Sequence, residues 1–319
     1  MLNDFISTLE KVAFFNTPAF GIAALVLVGA SWCLVGAIAG KAPKLGYRMD
    51  AIYLVGGSVA AIFIAILCIF TGIGKYSSNL ALFLSALAFF LGGAGCFFQG
   101  VAMSHAMQSG PNGIIWAIIQ SAMIFPFIFS VLFYDVKLTI LRGAGIAMML
   151  ASLILFASAK DNSTKSSGAW KIWTFSALVV VGLEQIITSI PFYYEECKNV
   201  SSLFSIGCMM LGYVAMALIV ICCKRGYISE LKVVLRQKKF WIYNLALLPL
   251  AALIAVIFQV PGMRAMANNG LGGMSFPVLV GSCIAAFTLY SVIVLKEKFK
   301  ALDLIALVSC VTGMVLLCI

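Results

Sequence analysis

Charge is scarce in this chain: Asp, Glu, Lys and Arg make up 10% of its 319 residues, against about 25% in a soluble domain. Too little polar surface exists to face water, which excludes an ordinary water-soluble fold and leaves lipid as the main solvent. There is one histidine, His105, with no His-rich cluster and no serine–histidine pairing at depth. That excludes the catalytic sets of an intramembrane hydrolase. The cysteines lie almost all inside apolar runs, and no spacing fits a zinc or haem motif. A glycine-rich phosphate loop is missing, so ATP does not drive this chain directly. Neither a cofactor nor a metal is expected, and no enzyme activity. Apolar–polar alternation is absent too, which excludes an outer-membrane barrel. No signal peptide is expected either, because Asp4, Glu10 and Lys11 interrupt the first 19 residues and no short apolar core with a cleavage site follows.

Long uncharged runs are what the chain has instead. A helix needs roughly 20 apolar residues to cross a bilayer core. The runs place ten spans, at about 19–40, 51–73, 79–106, 112–133, 139–158, 170–193, 201–223, 240–265, 271–295 and 301–319. The third and fourth form one block, divided by the helix-breaking turn Ser109-Gly110-Pro111-Asn112-Gly113. The segment Ile228 to Lys239 is basic and amphipathic, suited to the headgroup level. The expected fold is therefore all-α, a polytopic membrane protein.

A repeat of about 160 residues organises these spans. Gln99 to Met103 is echoed by Gln259 to Met263, and Tyr134-Asp135-Val136-Lys137 by Lys296-Glu297-Lys298. The tail Gly143 to Phe156 is echoed by Ile305 to Leu317. This divides the chain into a first five-helix repeat over 1–160, a polar linker over 161–169 and a second repeat over 170–319. Five spans per half is an odd number, so the halves should be inverted relative to one another.

The net charge of +10 follows the spans rather than a nucleic-acid surface. Fifteen Lys and Arg fall in the loops after odd-numbered spans, against six on the other side. The fifteen should face the cytoplasm, which puts both termini outside. No nucleic-acid partner is expected; the partners are the lipid bilayer and a small-molecule substrate, with the chain a monomer or homodimer.

The two segments Ser121 to Phe156 and Cys283 to Leu317 each run long span, short acidic-and-basic hinge, small-residue-rich span. The hinges carry Asp135 with Lys137, and Glu297 with Lys298. With the ten spans and the five-plus-five repeat, this pattern resembles the drug/metabolite transporter superfamily, in particular its EamA-like repeats, over nearly the whole chain. Two details are similar to the rhamnose–proton symporter and its sugar-porter relatives: Gly93-Ala94-Gly95 with Gln99-Gly100 and the 109–113 turn, and Gln259 with Lys296-Glu297. The resemblance implies a secondary carrier of a small metabolite in the bacterial cytoplasmic membrane. A multidrug or metabolite exporter of the same fold, a channel, and a structural membrane protein are the alternatives.

Several residues stand out as candidates for transport. Glu184 lies near the centre of the sixth span, the one carboxylate at such depth. A charge there costs on the order of 3 kcal/mol on insertion scales, so it should face protein or water. It is a candidate for proton coupling or for a cationic substrate group, the other reading being a hydrogen-bonded structural acid. Gln99 and Gln259 occupy equivalent places in the two halves. An amide suits a sugar hydroxyl or a carboxylate, and equally a helix–helix hydrogen bond. His105 is a candidate proton relay or a solvated helix end; Arg264 meets an anionic group or snorkels to the headgroups. Trp32 and Trp116 offer aromatic faces for substrate, or serve as anchors. Gln120 is a further polar candidate, with a packing role as the alternative. Pro261, two residues beyond Gln259, removes a backbone bond and is the expected hinge.

Overall fold

The computed structural model describes residues 16–72, 78–134, 137–158, 169–197, 200–223, 227–269, 271 and 275–318. Among them the fold is all-α. The helices are α1 (Pro18–Lys41), α2 (Met49–Thr71), α3 (Asn79–Ser109), α4 (Asn112–Gln120), α5 (Ile124–Phe133), α6 (Ile140–Ser158) and α7 (Ala169–Ser189). They continue with α8 (Ser202–Cys223), α9 (Tyr227–Leu235), α10 (Lys238–Ile254), α11 (Val260–Asn268), α12 (Ser275–Ile293) and α13 (Ala301–Cys318). Among the described residues six stretches are long and apolar enough to cross a membrane: Pro18–Lys41, Met49–Phe70, Asn79–Ser109, Asn112–Phe133, Ala169–Ser189 and Leu203–Cys223. That is the composition of a multi-pass membrane protein. The 135–136 hinge with Asp135, and the linker from 159 to 168, lie outside the described residues.

Helix starts and breaks follow from local chemistry. Thr17 and Ser78 accept from the amides of Phe20 and Ala81 at 3.2 and 3.1 Å, capping α1 and α3. α3 stops at Gly110-Pro111, as the turn signal requires. Pro126 has no N–H for the carbonyl of Ala122, and the turn before it, Ser121–Met123, tightens to 3-10 geometry between α4 and α5. Pro261 likewise gives nothing to the carbonyl of Ile257. There the chain widens instead, into a π turn at Ala255–Gln259 that joins α10 to α11.

α3 is the hub. It packs along α7 on one side and α8 on another, while α2 runs along α8. On the other side of the bundle α1 packs against α12 and against α10–α11, and α6 pairs with α13. Glycine permits the closest of these crossings. A Cβ on Gly93 of α3 would lie 1.9 Å from the carbonyl oxygen of Met209, and one on Gly212 of α8 would lie 2.1 Å from that of Phe90. The backbones therefore touch, a small-residue crossing of the kind that holds helices together in lipid.

Polar side chains inside the bundle turn to backbone carbonyls. Ser31, Ser58, Ser121, Ser130, Ser152 and Thr174 donate to carbonyls three or four residues earlier on their own helices. Other side chains reach carbonyls of neighbouring helices, Ser104 to Ala39, Asn244 to Ile52 and Ser309 to Met148, each at 3.0 Å.

The amphipathic segment forms α9, and its apolar stripe faces the protein. Tyr227 is buried, Leu231, Val234 and Leu235 pack on the core, and Lys232 and Arg236 are exposed. Its N-terminus is clasped to the start of α2. Asp50 accepts from the Tyr227 hydroxyl at 2.8 Å, from Arg48 Nε at 3.1 Å, from a terminal nitrogen of Arg48, and from the Ala51 amide at 2.9 Å. The Arg48 guanidinium lies over the Tyr227 ring at 4.6 Å. Burial, and then the Asp50 carboxylate, push the Tyr227 phenol above the ordinary tyrosine range.

Candidate functional site

Glu184 lies in the seam between α7 and α3. A Cβ on Gly95 would come within 3.1 Å of Glu184 Cβ and 3.5 Å of its Cγ; one on Gly92 would meet Thr188 Cγ2 at 2.3 Å and Glu184 Oε1 at 3.7 Å. The two glycines thus make a notch in α3 into which the acid and the threonine of α7 fit. Glu184 and Thr188 are one turn apart on one face, and the Thr188 hydroxyl donates to the Glu184 carbonyl at 2.9 Å. The glutamate is 9% exposed. It sits fifteen residues after the start of α7 and five before its end. The 3-10 turn Ile190–Tyr193 prolongs the span beyond it.

A polar cluster continues from this notch. The carboxyl of Glu184 lies beside the Cys96 thiol and the Thr188 hydroxyl, and Cys96 also faces Tyr213 of α8. Tyr213 stacks on Tyr53 of α2, ring centroids 5.2 Å apart. Gly100 makes room for the Tyr53 hydroxyl, which would lie 1.7 Å from a Cβ there. Side chains of four helices therefore form one run of contacts that starts at the acid. Gly92, Gly95 and Gln99 fall on one face of α3, so half-buried Gln99 lies one turn further along the same seam, about 6 Å from Gly95 along the axis. Cys96, Tyr53 and Tyr213 were not singled out in the sequence; only the glycine stripe 92–95 signalled that a neighbouring helix comes close.

Gln259 sits apart from this cluster, at the last position of the π turn. It belongs to the seam with α1, where a Cβ on Gly262 would lie 3.0 Å from Ala24 Cβ. α1 carries no carboxylate at the place that Glu184 holds on α7. Pro261 follows the π turn directly. The matching stretch of α3 around Gln99 is unbroken helix, so the two echoed glutamines differ in backbone.

The remaining candidates scatter. Trp116 is 2% exposed, stacked on Phe287 at 4.9 Å and pressed against Gly36; its faces are occupied by core, not open to a ligand. Trp32 is half-buried against the same core. Gln120 is buried where α4 gives way to the 3-10 turn. His105 is exposed and stacks on Trp173 at 5.0 Å, ten residues or about 15 Å along α3 from the Glu184 notch. The structure does not bring it to the acid. The side chain of Arg264 lies outside the described residues. A shallow apolar groove on α7, lined by Ile172, Phe175, Ser176, Val179 and Val180, holds none of the candidates.

No family model matches this chain, and no curated protein does. Solved structures are similar to it, among them one described as a crystal structure of a protein, over 93% of this chain and 94% of its own, with 13% identity and a TM-score of 0.52. That likeness concerns the fold alone.

Proposed function

We propose that this chain is a secondary carrier of a small polar metabolite, a sugar, an amino acid or a related compound, working by alternating access in the bacterial cytoplasmic membrane. In this reading it belongs with the EamA-like drug/metabolite transporters that its sequence resembles. It spans the bilayer ten times, as two inverted five-helix halves with both termini outside. Three of the ten spans are the shorter helices α6, α12 and α13, and the eighth is α10 and α11 with the π turn between them.

The packing supports two related halves. Exchanging each span with its counterpart turns the α3–α7 seam into the seam of α10–α11 with α1. It turns the packing of α4 and α5 on α7 into that of α12 on α1, and leaves the α2–α8 and α6–α13 pairs unchanged. An inverted repeat has this exchange property, and carriers built so hold their substrate where the halves meet.

The observation that carries the functional reading is Glu184 in its notch. The acid is packed between helices of both halves beside a thiol and a hydroxyl, with Tyr213 and then Tyr53 stacked beyond the thiol. A purely structural role would not need an acid there, because a buried polar group costs free energy that an apolar side chain avoids. When the α3–α7 seam parts, water reaches the carboxyl, its surroundings change, and so does its grip on a proton. That couples proton binding to the opening of the seam. Gln99, one turn away, is positioned to read a hydroxyl or carboxylate of the substrate as the same seam opens.

Counterflow in proteoliposomes tests this. Purified protein loaded with candidate sugars or amino acids should exchange label saturably, at a rate that depends on pH. Glu184→Gln should abolish the pH dependence of net uptake while leaving the protein folded. Saturable uptake with an unchanged pH profile in Glu184→Gln would remove the acid from the mechanism, and absence of counterflow for every class would remove the carrier.

A further inference from the structure

The segment joining α12 to α13 folds back onto the opposite half of the chain. The amides of Val294 and Leu295 both donate to the carbonyl of Tyr290, at 2.9 and 3.2 Å. Lys296 then turns into the left-handed region, φ 56°, the one non-glycine residue to do so among those described. Lysine gains nothing from that conformation by itself. The turn returns the chain so that the Glu297 amide donates to the Ser291 carbonyl at 3.0 Å, and it aims the Glu297 carboxylate at the start of α4. There Oε1 accepts from the Asn112 amide at 2.8 Å and Oε2 from the Gly113 amide at 3.0 Å.

Those two amides open α4 and have no partner within their own helix. A carboxylate on them is favoured by the helix dipole and by charge-assisted bonding. Nearby groups fix the fit. A Cβ on Gly113 would lie 2.6 Å from the Phe299 ring and 2.7 Å from the Ser291 hydroxyl. Beyond the loop, the Lys300 amide donates to Asp303 at 2.9 Å, capping α13. Asn112 is buried, whereas Glu297 itself is only half-buried. The contact thus joins residues 185 apart in sequence, ties the second half to the first at one end of the bundle, and can be undone from solvent.

We propose that Glu297 is a latch. Its carboxylate on the first amides of α4 holds the α12–α13 segment over the end where α1, α4 and α12 meet, and it must let go for the path to open on that side. This rests on the carrier reading above. The core just beneath, Trp116 stacked on Phe287 with Cys283 beside them, is then what the latch keeps covered. Cys283 is fully buried and lies eight residues, about 12 Å, along α12 from Ser291.

Labelling of Cys283 tests the latch. In a background with the other cysteines replaced, a membrane-impermeant maleimide is added to one face of oriented vesicles at a time. Glu297→Gln keeps the size of the side chain but loses the charge. It should raise the labelling rate about tenfold from the latch side only, as expected for one lost charge-assisted bond in a two-state opening. Glu297→Asp keeps the charge but cannot span both amides, and should fall between. Unchanged labelling in both variants, or a rise from the opposite face, overturns the proposal. Failure of both variants to fold also rejects it, since the contact is then a cap that the fold requires. Raised labelling together with no counterflow in the unaltered protein would leave the latch standing and the carrier reading fallen.

Discussion

Replacing Gly93 by alanine is the sharpest probe of the packing that positions Glu184. The added Cβ would lie 1.9 Å from the Met209 carbonyl oxygen. A carbon and an oxygen in contact between helices sit about 3.3 Å apart, so the shortfall is roughly 1.4 Å. The obstacle is backbone and cannot rotate away, so α3 and α8 must separate by a comparable amount. α8 carries Tyr213 and α3 carries Cys96, so the separation opens the cluster around Glu184. Overpacking of this kind costs about 1–3 kcal/mol, partly offset by the preference of helices for alanine, about 0.8–1 kcal/mol. Gly143 and Gly281 are the internal controls, since a Cβ on either meets nothing within 4 Å. Their alanine variants should match or exceed the unaltered protein in thermal melting in detergent. Gly93→Ala should melt several degrees below both and lose transport. Gly212→Ala, 2.1 Å from the Phe90 carbonyl, should behave like Gly93→Ala. A Gly93→Ala protein melting with the controls would refute the close crossing.

Other expectations rest on separate features. Tyr227→Phe removes a bond to a carboxylate and should cost about 1–2 kcal/mol at neutral pH, Asp50 keeping its other donors. The phenol is pushed up in the folded state, so its contribution is present below pH about 10 and is lost as pH rises through the higher folded value. Melting profiles of the two proteins should converge at alkaline pH; parallel profiles would contradict the clasp. Pro261→Ala restores an N–H for the Ile257 carbonyl, which should heal the π turn and slow turnover severalfold with little change in substrate affinity. Equal turnover would show that the widened turn is not used as a hinge.

Much of this architecture is legible in the sequence because lipid solvation demands long apolar runs and because glycine and proline break helices locally. The stop of α3 at Gly110-Pro111 and the break around Pro261 are of that kind. The surroundings of Glu184 are not, because Cys96, Tyr53 and Tyr213 come from three other helices and each looks like an ordinary apolar-run residue in its own. The echo of Gln99 in Gln259 suggests equal local structure, yet only Gln259 has a proline two residues on, and only its backbone widens. Trp116 looks open to substrate from its inward position along the span; Phe287, which covers it, is 171 residues away. The bonds of Glu297 to α4 are equally non-local, although the acidic hinge that supplies them stands out in the sequence.

The helices also differ in reach. α3 has 31 residues and α7 has 21, about 46 and 31 Å at 1.5 Å per residue. A typical hydrocarbon layer is about 30 Å thick. In the membrane reading α7 matches that layer, whereas around α3 the bilayer thickens or the helix leans, at a fraction of a kcal/mol per ångström. Acyl-chain length therefore acts on the lean of the helix that carries the glycine notch, and lipids of different length would tune how readily the bundle parts there.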